Sequence, residues 1–177
     1  MGDSQLQMTA LQQEQNIMLH NLLSEWTLWA HLPHDTDWSL KSYKNISSIK
    51  SVEEIIALYD AVPEKVVKNC MLFLMKGGVN PTWEDPQNAK GGCFSYKISN
   101  TSVNDVWTKL SYTLVGESLI CKKNINNVTG ITISPKKNFC IIKIWMSDCN
   151  NQDPTTISYF EGIDSRGCLF KKHNPEY

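Results

Sequence analysis

Two adjacent residues, Trp83 and Glu84, offer the most specific chemistry in this 177-residue chain. They lie in the stretch Asn80-Pro-Thr-Trp-Glu-Asp-Pro-Gln-Asn-Ala-Lys-Gly-Gly92, where Pro81, Pro86, Asn88, Gly91 and Gly92 argue for a loop. A flat indole beside a fixed carboxylate suits an aromatic ligand that donates hydrogen bonds, such as a purine base. The alternative is that Trp83 folds back as a lid on the core and Glu84 faces water. A second lone ring, Trp38, stands in the polar run from His34 to Ser39 and is open to the same two readings. Trp145 closes a strongly apolar run, where core packing and ligand contact are compatible.

The elements that must position these groups are legible in part. Trp26 to Leu32 reads as a strand with Trp26, Leu28 and Ala30 on one face and Trp29 on the other. Ser51 with Glu54 forms a capping box for a helix through Tyr59, along which Val52, Ile55, Ile56 and Tyr59 line one side. A turn or short helix follows Pro63 as far as Lys68, and Cys70 to Met75 is an apolar run of strand length. Phe94, Tyr96 and Ile98 alternate with Ser95 and Lys97, which predicts a strand with one wet face. Ser102 with Asp105 resembles a second capping box. It opens a helix whose stripe is Val103, Val106, Trp107, Leu110 and Leu114, ending near Gly116. Lys122 to Asn127 is a polar loop. The two strands around the turn 135–138 form a hairpin, and its second strand, Phe139 to Met146, is the strongest of the chain. Asp153 and Pro154 read as the cap and first position of a third helix reaching about Gly162, burying Ile157 and Phe160. Helices do not alternate regularly with strands, so the pattern predicts an α+β fold, one antiparallel sheet with helices on one face.

Composition narrows the function. The formal net charge is -1, which gives no whole-chain attraction to a nucleic-acid backbone. Arg166 is the single arginine against 16 lysines, too few forked donors for duplex reading. The six cysteines show no C-x2-C pair and lie in or beside apolar runs, so free thiols in a reducing compartment are expected and no metal site. The four histidines have no metal-ligand spacing either. No basic-then-apolar leader or membrane-length apolar run is present, and the cytoplasm is the expected location. Residues 1–19, Gln- and Met-rich, are expected to be a flexible tail before a single domain over 20–177.

In their order and spacing, several pieces together resemble the eukaryotic translation initiation factor 4E family. They are His20-Asn-Leu, Trp26-Thr-Leu-Trp29, the lone Trp38, Val52 to Tyr59, Gly77 through Trp83-Glu84-Asp85, Asn88 to Gly92, Leu114 to Ser118, Gly130, and Ile144-Trp145 followed by Asp148-Cys149. The resemblance implies a curved sheet of about eight strands, three helices on its convex side and a slot for the mRNA cap on its concave side. It implies that Trp38 and Trp83 sandwich an N7-methylated guanine, whose positive charge adds cation–π attraction to stacking. Glu84 would accept from guanine N1–H and its 2-amino group, a donor pair adenine lacks. The Trp83 backbone N–H would donate to O6, and Trp145 would pack beside the N7-methyl group. It implies no cofactor and no catalysis. The expected partners are capped mRNA and helical peptides from a 4G-like scaffold or a 4E-binding inhibitor, on an otherwise monomeric chain with no membrane contact.

Two regions depart from that family. The arginine expected after the Gly-Gly pair is Cys93, and Asn138 and Ile141 stand where lysines are usual. Phosphate contacts then fall to Lys136, Lys137 and Lys143, with Lys171, Lys172 and His173 as partial compensation; Lys137 sits where its side chain can point away. On the partner surface His20, Gly116 and Glu117 match, whereas Asn21, Ile56, Thr108 and Lys109 replace proline, tryptophan, leucine and an acid. Lys109 would repel a basic partner residue. The sequence therefore supports an initiation factor or, alternatively, a divergent cap-binder acting as a repressor or on particular messages. A nucleotide-acting enzyme is the alternative of another class. Against it, Glu84-Asp85 is the one acidic pair near the slot, and no nucleophile–base set or phosphate-cradling G-x-x-x-x-G-K-[ST] loop occurs.

Overall fold

The computed structural model describes residues 19–120 and 125–173. All but the last residue of the expected N-terminal tail, Cys121 and the start of the predicted polar loop lie outside the described residues. A curved antiparallel sheet of seven strands organises the rest, in the order β2-β1-β3-β5-β6-β4-β7. The strands are β1 (Asn21–His31), β2 (Lys44–Ser51), β3 (Met71–Lys76), β4 (Gly92–Ser99), β5 (Val128–Pro135), β6 (Phe139–Met146) and β7 (Leu169–Lys172). Three helices, α1 (Val52–Ala61), α2 (Glu64–Asn69) and α3 (Val103–Val115), cover one face.

The period-two alternation of each strand divides the side chains between the faces. Toward the helices, Trp26 and Leu28 of β1, Leu72 and Leu74 of β3, Phe94 and Tyr96 of β4, Ile131 and Ile133 of β5, and Ile142 and Ile144 of β6 form the main core. Trp107 of α3 is fully buried among them. α1 begins as its sequence predicts: Ser51 Oγ accepts from the Glu54 N–H at 3.2 Å, and the Glu54 carboxylate accepts from the Ser51 N–H at 3.2 Å. On the other face a smaller cluster joins Phe73, Met75, Val79 and Trp145, with Trp29 and Tyr43 packed against it.

Several expectations are corrected. Asp153 does cap the following turn, accepting from the Thr155 N–H at 2.9 Å, but only the 3-10 turn Pro154–Thr156 forms. The chain then leaves helical geometry because Ser158 N–H donates to Leu119 O at 2.8 Å and Ile157 bridges Ile120. The third helix is instead the short α2 after Pro63. Ser102 makes no side-chain cap, its backbone already lying in the helical region. Gly116 ends α3 as expected, although the left-handed residue is its neighbour Glu117, at φ 52. Strands β2 and β7 were not predicted. Both are edge strands, largely polar and exposed, so they lack the apolar alternation that reveals a half-buried strand.

Gly91 and Gly92 are required by contact rather than by dihedral freedom. A Cβ at position 91 would lie 1.7 Å from the Met146 carbonyl oxygen, and one at 92 would lie 2.5 Å from the Phe170 ring. Gly91→Ala is expected to lower stability by at least about 2 kcal/mol, because backbone must move to admit the methyl group. Gly78→Ala, at φ +80 with open space around it, should lose only about 1 kcal/mol. Urea midpoints of the two variants would test this, and equal losses would disprove the close-approach explanation.

Candidate functional site

The loop that carries Trp83 and Glu84 is fixed from beneath by two buried polar side chains. Asp85 accepts from the Asn80 N–H at 3.0 Å and the Gln87 N–H at 2.9 Å. Asn88, wholly buried, donates through Nδ2 to Asn80 O at 3.1 Å and Thr82 O at 2.8 Å. Both Asp85 carboxylate oxygens are thereby engaged by backbone N–H groups, and Asp85 fastens the loop. With the backbone held, Trp83 is left 47% exposed and Glu84 faces outward, so Trp83 is not a lid on the core.

Beside this loop, on the face away from the helices, lies a cavity of about 470 Å³. Trp83 and Trp145 line it together with Lys136, Lys143, Lys171 and Lys172, and no carboxylate is among its walls. Trp145 is 7% exposed, its ring edge-on to Phe73 at 6.5 Å and tilted against His173 at 4.6 Å. His173 is tied to the loop, its N–H donating to Gly91 O at 3.0 Å and its Nδ1 lying 2.9 Å from Asn88 O. Burial pushes the His173 imidazole below its ordinary value, against the Asn88 hydrogen bond and with Lys143 adding to the depression.

Not every expected residue borders that cavity. Lys137 occupies the exposed turn between β5 and β6 and is not among the lining side chains. Trp38, 55% exposed, lies outside the walls and stacks on the buried His31, centroids 4.1 Å apart and planes 3° from parallel. His31 Nε2 lies 2.8 Å from Asp37 O, and Tyr43 meets the same imidazole edge-on at 5.2 Å. Glu84 is also not a wall of the cavity, yet its charge reaches Tyr43, whose hydroxyl is pushed up first by burial and then by Glu84. Rings therefore run in contact from Trp38 through His31, Tyr43, Phe73 and Trp145 to His173. The sequence reading missed His31 and Tyr43. Their only signal was an aromatic or imidazole at an outward position of a strand or its flank.

The helix-covered side carries an apolar groove of about 270 Å³ formed by Leu22, Val52, Ile55, Ile56, Tyr112, Val115 and Gly116. Of the expected partner-surface residues Ile56 and Gly116 line it. Glu117 borders it in sequence and accepts from Ser24 Oγ at 2.8 Å. His20 Nδ1 lies 2.6 Å from Glu53, whose carboxyl that hydrogen bond lowers to about 2, and Asn21 follows at the start of β1. Thr108 and Lys109 lie off the groove, Lys109 facing Glu161 at 3.7 Å. Among the described residues no His, Cys, Asp and Glu cluster could hold a metal ion, and no helix is long and apolar enough to cross a membrane.

The sequence profile of the family described as Eukaryotic initiation factor 4E matches residues 21–161. The chain belongs to the eukaryotic initiation factor 4E family. The Schizosaccharomyces pombe eukaryotic translation initiation factor 4E-2 is 31% identical over 77% of this chain, which spans 58% of that relative's length. The crystal structure of Ascaris suum eIF4E-3 with the m2,2,7G cap superposes with a TM-score of 0.69 at 22% identity, over 77% of this chain and 78% of that one. A complex of C. elegans eIF4E-3 with the 4E-binding protein Mextli and a cap analog gives 0.69 at 23% identity, over 76% and 78%. These structures share the family fold with this chain.

The half-buried His173 gives a pH prediction. Its native value lies below the unfolded one, about 6.5, so between the two the native protein binds fewer protons there. Its contribution to stability is complete above the unfolded value and is lost as pH falls through the native one. NMR titration of the His173 ring should give a midpoint below about 6.5, and a midpoint at or above it would contradict the burial argument.

Proposed function

We propose that this protein binds the N7-methylguanosine cap of mRNA in the slot beside Trp83 and brings it to the translation initiation machinery in the cytoplasm. The observation that carries this reading is the loop in which Asp85 and Asn88 are spent on the backbone, so that Trp83 and Glu84 are presented outward beside a lysine-lined cavity. Trp83 stacks on the methylated base and Trp38, swung from His31, covers its other face; each stacked ring contributes about 1–3 kcal/mol. The fixed positive charge on the methylated base strengthens both contacts. Glu84 accepts from N1–H and the 2-amino group, the Trp83 N–H donates to O6, and Trp145 packs near the methyl group. Lys136 and Lys143 neutralise the phosphates, with Lys137 contributing from the turn. The protein acts by binding, without a catalytic step.

The partner is a helical peptide of a 4G-like scaffold or of a 4E-binding inhibitor, seated in the apolar groove between α1 and α3. A second reading, a repressor or message-specific factor, is favoured by Lys109: α3 carries a cation three residues before the groove-lining Tyr112, although Lys109 itself does not line the groove, and a cation there disfavours a basic partner residue.

Titration of tryptophan fluorescence with N7-methyl-GTP and with GTP tests the assignment. The methylated nucleotide should bind more tightly, and Glu84→Ala should weaken it roughly 100-fold by removing two charge-assisted hydrogen bonds. Equal affinity for both nucleotides would sink cap binding. To separate the two partner readings, helical peptides with a basic or an acidic residue facing Lys109 can be compared. Preference for the acid would indicate an altered partner motif.

A further inference from the structure

We infer that Lys171, on the C-terminal edge strand, is the phosphate-binding cation that stands in for the one missing at Cys93. The inference rests on the proposed cap site only for the identity of the base. The polyphosphate subsite itself follows from the sheet. In the antiparallel register Cys93 of β4 is paired with Trp145 of β6 on one side and with Lys171 of β7 on the other. Directly paired residues project to the same face, so Lys171 emerges on the slot face next to a small, 5%-exposed thiol that cannot itself hold an anion.

Two residues along, Ser95 is paired with Lys143. Lys171 and Lys143 therefore flank β4 over one cavity, two strand spacings across and two residues along, which puts their Cα atoms about 12 Å apart. Among the described residues neither of them, nor Lys136, has a carboxylate within salt-bridge distance. Three cations that face one concavity without acids focus a positive potential there, which fits a linear polyanion.

The strand that carries Lys171 is pinned on both sides of it. Phe170 projects the opposite way and meets Phe94 at 4.9 Å. His173 is fastened to Gly91 and Asn88 and lies against Trp145. A lysine on an edge strand commonly serves only to keep the edge solvated. The shared cavity and the pairing with Cys93 distinguish this one, and Lys97, farther along β4 with its Nζ 4.5 Å from the centre of the Phe139 ring, is the edge-side control.

Calorimetric titrations with N7-methyl-GTP, 7-methylguanosine and inorganic tripolyphosphate decide the matter in the native protein, Lys171→Ala, Lys97→Ala and the double variant Lys171→Ala with Cys93→Arg. Losing one charge-assisted contact should weaken N7-methyl-GTP and tripolyphosphate about 10-fold in Lys171→Ala. Binding of 7-methylguanosine should not change, and Cys93→Arg should restore the loss. If Lys171→Ala matches Lys97→Ala, or weakens the nucleoside as much as the triphosphate, the inference is overturned while cap binding stands. If 7-methylguanosine fails to bind but tripolyphosphate binds in a Lys171-dependent way, the cap reading falls and the polyphosphate subsite stands. If the native protein binds none of the three, both fall.

Discussion

The close approach of β4 to its neighbours is the constraint on which the site depends. Gly91 lies where a side chain would strike the Met146 carbonyl, and Gly92 where one would strike Phe170 and the Lys171 carbonyl. Because both positions are bare, the end of the Trp83 loop, the Trp145 strand and the C-terminal strand meet at one place. Gly91 O and Asn88 O then hold His173, which lies against Trp145. A loop that would otherwise be free to drift is thereby referenced to the sheet. Small displacements of a binding group are costly to affinity, so this fastening matters more than the number of contacts the loop makes.

The same sheet does two unrelated jobs because its side chains alternate. One face is committed to α1, α2 and α3 through Phe94, Ile131, Ile144 and Trp107, a core that tolerates little change of volume. Among the described residues the other face has no covering layer. Its strands place lysines and serines beside aromatic rings there, with Cys93, Ser95, Lys143 and Trp145 as near neighbours in register. An uncovered face of that composition is what a flat charged ligand requires, and it costs the fold nothing in burial because the helices already supply the core.

What could be read from sequence follows from where apolar periodicity is strong. α1 and α3, the hairpin of β5 and β6, and the alternation in β4 were all legible because one face of each is buried. The edge strands escaped because Lys44–Ser51 contributes one core residue, Ile49, and Leu169–Lys172 offers only Phe170. The helix expected after Pro154 failed for a different reason: Asp153 supplied a genuine cap, but long-range pairing with Leu119 and Ile120 outcompeted local helix formation. Trp83, Glu84 and Trp145 were candidates by residue type and position, and Lys136 and Lys143 through the family resemblance; all but Glu84 line the cavity. The supports were not candidates. Asp85 and Asn88 look like ordinary loop residues until their backbone partners are seen, and Lys171 to His173, expected from sequence only as partial compensation at the phosphates, become a wall through the long-range pairing of Cys93 with Lys171.

His31 changes what the binding free energy must contain. Trp38 is not idle in the free protein, because its indole already stacks on the His31 imidazole at 4.1 Å with planes 3° from parallel. On the proposed reading, covering the second face of a methylated guanine means exchanging one planar partner for another. Stacking area largely cancels in such an exchange, and what remains is the difference in charge between the two partners. A methylated guanine carries its positive charge at every working pH below the loss of its N1 proton, whereas an imidazole is charged only when protonated. Breaking the resting stack costs the same whichever base is bound, so selectivity for the methylated base rests on the charge that the methyl group fixes on the ring. The resting contact lowers the absolute affinity of every ligand that displaces Trp38 by the same factor and leaves their ratio unchanged, because the free protein is the same reference state for each.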